Sequence, residues 1–236
     1  MQLRVASYNI RKCVGLDRKR RPLRIADVIN KIEADVIVLQ EADKRLGVRP
    51  AALPHAIIAG ETDYTAVELA QNDISLGWHG NAILLRKEFS LESFSRIKLP
   101  GLEPRGAVLA EIAGTSGVFR IIGTHLGLAR RHRRRQLTEL RENLAARKDM
   151  PTILLGDFNE WSKSRGMEPL EGHFEVHSPG RSFHAARPVA ALDRIALNPR
   201  VELRDAGVVE TPQSRIASDH LPIWADITLR EHASVD

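Results

Sequence analysis

"LLGDFNEW", residues 154–161, ends an apolar run with an aspartate and an asparagine two positions apart. The run reaches back through "TILLGDF" (152–158). It is short, branched and bounded by turn formers, which predicts a strand rather than a helix. A strand apolar on both sides of its pleat is covered on both faces, so the surrounding fold needs layers above and below it. Asp157 leaves this covered strand at its C-terminal end, where a carboxylate without a partner costs several kcal/mol.

Seven more runs read as strands: "LRVASYNI" (3–10), "DVIVLQ" (35–40), "NAILLR" (81–86), "GAVLAEI" (106–112), "VFRIIGTHL" (118–126), "ALDRIALN" (191–198) and "PIWADITL" (222–229). The alternation Val118, Arg120, Ile122 predicts one wetter face. Two segments have helical period. Over 22–33, Pro22 suits a first turn, and Leu23, Ala26, Ile29 and Ile32 share a stripe. Over 133–147, Leu137, Leu140 and Leu144 form the apolar face, with Arg133, Arg134 and Arg141 pointing elsewhere. A short third helix is expected within 163–172, and a covering loop and strand over 49–60. No Gly/Ser-rich linker or low-complexity tract breaks residues 1–236, so one domain is expected. Strands followed by helices, with many strands adjacent, predict an α/β fold of two packed sheets flanked by helices.

A chain 43% hydrophobic and 28% charged has the balance of a globular protein. It contains no apolar stretch of membrane-spanning length. "MQLRVASYNIRK" lacks the apolar region of a secretory signal, so a cytoplasmic location is expected, at most peripheral at the inner membrane surface. The sole cysteine, Cys13, excludes an intrachain disulfide and fits a reducing compartment. It reads as a small buried hydrophobe, while neighbouring cations leave a lowered pKa open.

The net charge of +5 is concentrated. Residues 11–24 carry Arg11, Lys12, Arg18, Lys19, Arg20, Arg21 and Arg24 against Asp17, and "RRHRRR" (130–135) begins the second helix. Cations there oppose the helix dipole, so something other than helix stability retains them. Both clusters suit a polyanion, nucleic acid or anionic lipid head groups, or else a solvated face.

The remaining strand ends are polar as well. Asn9 ends the first strand, Glu41 follows the second, and His125 lies near the end of "RIIGTHL". Asp193 interrupts "ALDRIAL", and Asp219 with His220 precede the last strand. Taken singly, each is ordinary: a turn, a helix cap, a pair with Arg194. In α/β folds, however, residues beyond strand ends line the ligand crevice, and a divalent cation removes the cost of assembling carboxylates there.

In this order, "SYNI", "LQE", "GTHL", "GDFN" and "SDH" resemble the endonuclease/exonuclease/phosphatase (deoxyribonuclease I-like) superfamily over almost the whole chain. "GNAILLR", "EPRGAVLAEI", "GTHLGLARRHRRRQL" and "ALDRIALNP" resemble a small bacterial branch of it. The resemblance implies a four-layered α/β sandwich, with two mostly antiparallel, mixed β-sheets flanked by helices. It further implies Mg2+-dependent phosphodiester hydrolysis by in-line attack of water, with Mn2+ as a substitute.

Matched by motif, Glu41 is the main metal ligand, with Asn9 beside it and Asp219 completing the set. Asp157 orients or deprotonates the water, and Asn159 bonds to that water or to the phosphate. His220 is held by Asp193, His125 donates to a phosphate oxygen, and Arg105 and Asn81 approach the phosphate. One departure stands out. The glutamate that pairs with the first histidine in deoxyribonuclease-like members has no counterpart in "LGWHGNAILLR", which offers only His79, so the orienting partner of His125 is left open. Nucleic acid, lipid head groups and small phosphodiesters all satisfy these motifs. A non-catalytic polyanion-binding module retaining the fold is the alternative.

Overall fold

Thr152–Asp157 is a strand with all of its residues buried, as its unbroken apolar character requires. The computed structural model describes residues 1–115, 117–162 and 165–230. Twelve strands appear in chain order among these residues: β1 Gln2–Asn9, β2 Val36–Gln40, β3 Tyr64–Ala66, β4 Ala82–Arg86, β5 Ser90–Lys98, β6 Gly106–Gly114, β7 Gly117–His125, β8 Thr152–Asp157, β9 Glu175–His177, β10 Asp193–Leu197, β11 Val201–Val208 and β12 Ile223–Leu229. The helices are α1 Pro22–Ile32, α2 His55–Glu61, α3 Arg130–Ala145 and α4 Ser214–Ala217.

Two six-stranded sheets result, ordered β11-β12-β1-β2-β4-β3 and β5-β6-β7-β8-β10-β9. Each is antiparallel except for one central pair, β1 with β2 and β7 with β8. A parallel pair needs a crossover, which α1 and α3 supply. Between the sheets, Val5, Val36 and Val38 pack with Val108, Ile121 and Leu155. Outside them, Ile25 and Ile29 of α1 join Ile37 and Leu39, while Leu137 and Leu140 of α3 join Ile122 and Leu154. Full burial of such a side chain contributes about 1.5–3 kcal/mol, so this layering is the main stabilising term.

Four local expectations change. Leu23 is exposed, and the buried stripe of α1 is Ile25, Ala26, Val28, Ile29 and Ile32. Arg120 does not face water. It is buried, donating to Glu111 Oε1 at 2.6 Å, because the neighbouring strand supplies the carboxylate. Residues 55–61 are helix α2 instead of loop and strand. Within 163–172 only Glu168–Leu170 forms a 3-10 turn, and residues 163 and 164 lie outside the described residues.

One feature of the topology positions the chemistry. β1 and β2 lie against β8 and β7 of the other sheet. Asn9 pairs with Gln40, and His125 pairs with Asp157, so the C-terminal ends of all four strands meet at one edge. Their antiparallel neighbours β12 and β10 begin at that same edge, which brings in Asp219, His220 and Asp193.

Candidate active site

Asp157 is the centre of this edge and is almost fully buried. Its Oδ2 accepts from Asn9 Nδ2 at 3.0 Å and lies 3.3 Å from His125 Nε2 and 3.6 Å from His220 Nε2. Its Oδ1 accepts the amide of Asn159 at 2.9 Å. A single carboxylate oxygen therefore joins three candidate side chains from both sheets.

Asp193, opposite Asp157 in register, places Oδ2 2.9 Å from His220 Nδ1 and also accepts from Ser182 Oγ. It does not pair with the Arg194 side chain, which reaches Ser178 and backbone carbonyls. Burial by itself pushes the His220 imidazole down, but the carboxylates of Asp193 and Asp157 outweigh this and raise it to about 10. Burial pushes His125 the other way, down to about 3. Arg105, His220 and Lys12 add to that effect, and Asp157 only partly opposes it. Two histidines near one oxygen thus carry different charges, an imidazolium at 220 and a neutral ring at 125.

Glu41 follows β2 in a left-handed conformation (φ 52°), and its carboxylate meets the Lys12 ammonium. Arg11, Lys12 and Cys13 are also left-handed, with φ of 44°, 55° and 60°. This sharp turn carries Arg11 Nε to 3.3 Å from Asp219 Oδ2, while Ser218 Oγ donates to the Asn9 carbonyl at 2.7 Å. Glu41, Asn9 and Asp219 are thereby gathered round one turn, with cations on both carboxylates. The Asn9 side-chain oxygen accepts the Arg11 amide at 3.1 Å within this turn. A cavity of about 110 Å³ opens beside Glu41, lined by Lys12, Glu41, Arg105 and His125 among others, but not by Asn9 or Asp219.

Asp157, Asp193 and His220 also offer ligand atoms within 4.8 Å of one another and could hold an ion. A metal ligand must be a neutral imidazole, though, and these carboxylates favour the protonated ring.

Arg105 lines the cavity and pairs with Glu103 Oε2 at 2.9 Å. Asn81 is fully buried and donates to the Gly106 carbonyl at 3.0 Å, so the structure does not bring its side chain to the cavity. Asn159 is left-handed and donates to the Leu126 carbonyl at 2.9 Å, tying the turn after β8 to the one after β7. His79 faces Arg49 Nη1 at 3.1 Å, and the acid beside His125 is Asp157 itself. Ser218, the first residue of "SDH", ties that motif to the end of β1, whereas Ser182 and the ring of Phe183, 5.1 Å from His220, carry no sequence signal that marks them as site residues. Burial raises Cys13 to about 12, which makes it a core thiol rather than a nucleophile.

About half of the cations in the basic clusters are committed internally. Arg133 does not point outward. It is buried, with Nη2 2.7 Å from Glu160 Oε2, and Arg130 Nη2 is 3.0 Å from Glu160 Oε1. Glu160 belongs to the loop after Asn159, so these arginines anchor the site loop to α3. In the first cluster Arg11, Lys12 and Arg24 pair with Asp219, Glu41 and Asp17.

Two mixed six-stranded sheets with helices outside and polar strand ends converging at one edge define the DNase I-like α/β sandwich. The Endonuclease/Exonuclease/phosphatase family matches residues 6–220, and the chain belongs to that family. It is 28% identical over 246 aligned positions to the Escherichia coli K12 protein called Uncharacterized protein YbhP, covering 96% of both chains. Among solved structures it superimposes on D. rerio TDP2 complexed with single strand DNA product. There the TM-score is 0.74 and identity 18%, with 96% of this chain and 99% of that one covered. A Bacteroides thetaiotaomicron mannosyl-6-phosphatase gives 0.75 at 18% identity, covering 96% and 100%. At such identities the structural likeness shows the fold.

Proposed function

We propose that the chain is a Mg2+-dependent phosphodiesterase of the cytoplasm, with Mn2+ able to substitute. The observation that carries this reading is Asp157 Oδ2, shared by Asn9, a neutral His125 and a charged His220, with His125 also lining the cavity beside Glu41 and Arg105. Asp157 and His220 act together on the attacking water: the imidazolium, held in orientation by Asp193, already carries its proton, so the water's proton passes to the Asp157 carboxylate. His125 donates its N–H to a phosphate oxygen as negative charge develops, and Arg105 adds a positive charge on the same side. Asn159 holds the turn that presents Asp157. Mg2+ bound by Glu41, Asn9 and Asp219 supplies charge neutralisation for the phosphate.

The test is a panel of bis-p-nitrophenyl phosphate, p-nitrophenyl phosphate, plasmid DNA and glycerophospholipids, each with Mg2+. Hydrolysis of the diester by the native chain, lost in Asp157→Ala, is the expected result. No turnover by either protein would leave a polyanion-binding module. Nicked plasmid would make the substrate nucleic acid.

A further inference from the structure

Large apolar side chains stand in water on the loops that surround the cleft. Leu46 is 84% exposed after Glu41, Leu102 85% ahead of Arg105, Leu128 69% after His125 and Trp161 64% after Asn159, with Val48 exposed as well. They share one rim. Residues 44, 45, 49 and 103–105 line the same cavity. The Leu128 amide lies 3.4 Å from Glu103 Oε1. The Trp161 ring is 6.0 Å from Phe183, which itself packs on His220.

Cations are interleaved with these tips. "KRLGVR" (44–49) sets Lys44 and Arg45 directly before Leu46, and Arg131 follows Leu128 closely. Among the described residues the side chains of Lys44, Arg45 and Arg131 have no ion-pair partner. Nucleic acid would use the cations but gains little from leucines, since stacking needs aromatic faces. A protein partner would use the leucines, but lysine is depleted from interface cores. Apolar tips with lysine and arginine at their bases match a bilayer interface, where the tips reach the acyl boundary and the cations meet lipid phosphates.

We propose that the mouth of the cleft docks on an anionic lipid bilayer through Leu46, Val48, Leu102, Leu128 and Trp161, with Lys44, Arg45 and Arg131 at phosphate level. No helix among the described residues is long and apolar enough to cross a membrane. Docking goes beyond the hydrolytic reading, because it needs no turnover.

The test is co-sedimentation with vesicles of phosphatidylcholine, with and without about 30% phosphatidylglycerol, near physiological salt. The native chain is expected to partition at least about tenfold more onto the anionic vesicles. Removing two cations by Lys44→Ser with Arg45→Ser should weaken this on the order of thirtyfold. Leu46→Ser with Val48→Ser should weaken it by about tenfold or more. The thermal midpoints of both variants should stay native, because the changed atoms face solvent. Asp157→Asn should bind vesicles like the native chain, which separates docking from hydrolysis. Equal partition onto neutral and anionic vesicles would overturn the proposal, as would undiminished binding by both paired variants. A dimer abolished by Leu46→Ser with Val48→Ser would overturn it in favour of a second copy. Retention on plasmid with the same variant dependence would overturn it in favour of nucleic acid.

Discussion

A Cβ at Gly156 would lie 1.9 Å from the Thr124 carbonyl oxygen, and the residue's φ is +153°. Only glycine lets β7 and β8 approach so closely one residue before His125 and Asp157 must meet. The same economy of space governs Asp193, whose two acceptor bonds from His220 and Ser182 leave the imidazole one orientation. Asp193→Asn keeps the shape and removes the charge that stabilises the imidazolium. It is expected to lower kcat on a diester by about 10²–10⁴-fold. Because Asp193 acts through His220, the Mg2+ concentration for half-maximal rate should not move. A raised Mg2+ requirement would instead make Asp193 a metal ligand, and steady-state kinetics at several Mg2+ concentrations decide between the two.

At the scale of elements, the arginines opening α3 oppose its dipole by about 0.3–1 kcal/mol each, and two of them, Arg130 and Arg133, pair with Glu160 beneath them. Burial opposes the Glu160 charge, but Arg130, Arg133 and the Ser162 amide hold its carboxyl at about 2, below the usual value of 4.5. A folded-state value depressed in this way stabilises the protein above about pH 4.5, and the contribution fades as pH falls toward 2. Glu160→Gln leaves Arg133 buried without its countercharge and is expected to be less stable by about 3 kcal/mol at neutral pH. In urea unfolding this gap should narrow as pH drops from about 4.5 to 2, and a constant gap would mean the pair carries no linkage. The eight strands legible in the sequence, β1, β2, β4, β6, β7, β8, β10 and β12, all occupy interior positions of their sheets. The four that were not, β3, β5, β9 and β11, are the sheet edges. An edge strand faces water along one side and loses the apolar signal, as "SLESFSRIK" of β5 does. Site residues at interior strand ends were legible for the same reason. The left-handed turns at Lys12, Glu41 and Asn159 were not, because no glycine marks them. The inward turn of Arg133 was hidden too, since its partner Glu160 arrives only after the next strand.

Across the whole molecule the site is a seam between sheets. Asn9, Glu41 and Asp219 border the first sheet, whereas His125, Asp157 and Asp193 belong to the second, and the Asn9–Asp157 bond crosses between them. Arg11 and Lys12 pair with the carboxylates of Asp219 and Glu41. An ion bound there would join chain segments from both ends of the sequence, and any ligand preferring the folded state raises its stability by mass action. At a Mg2+ concentration tenfold above its dissociation constant the gain is about 1.4 kcal/mol, or about 3–5 °C in thermal midpoint for a chain of this size. Glu41→Ala should abolish this shift, while Asp157→Asn, which leaves the first-sheet carboxylates in place, should keep it. The reverse pattern would put the ion in the buried Asp157, Asp193 and His220 cluster and would reassign His220 from proton carrier to ligand.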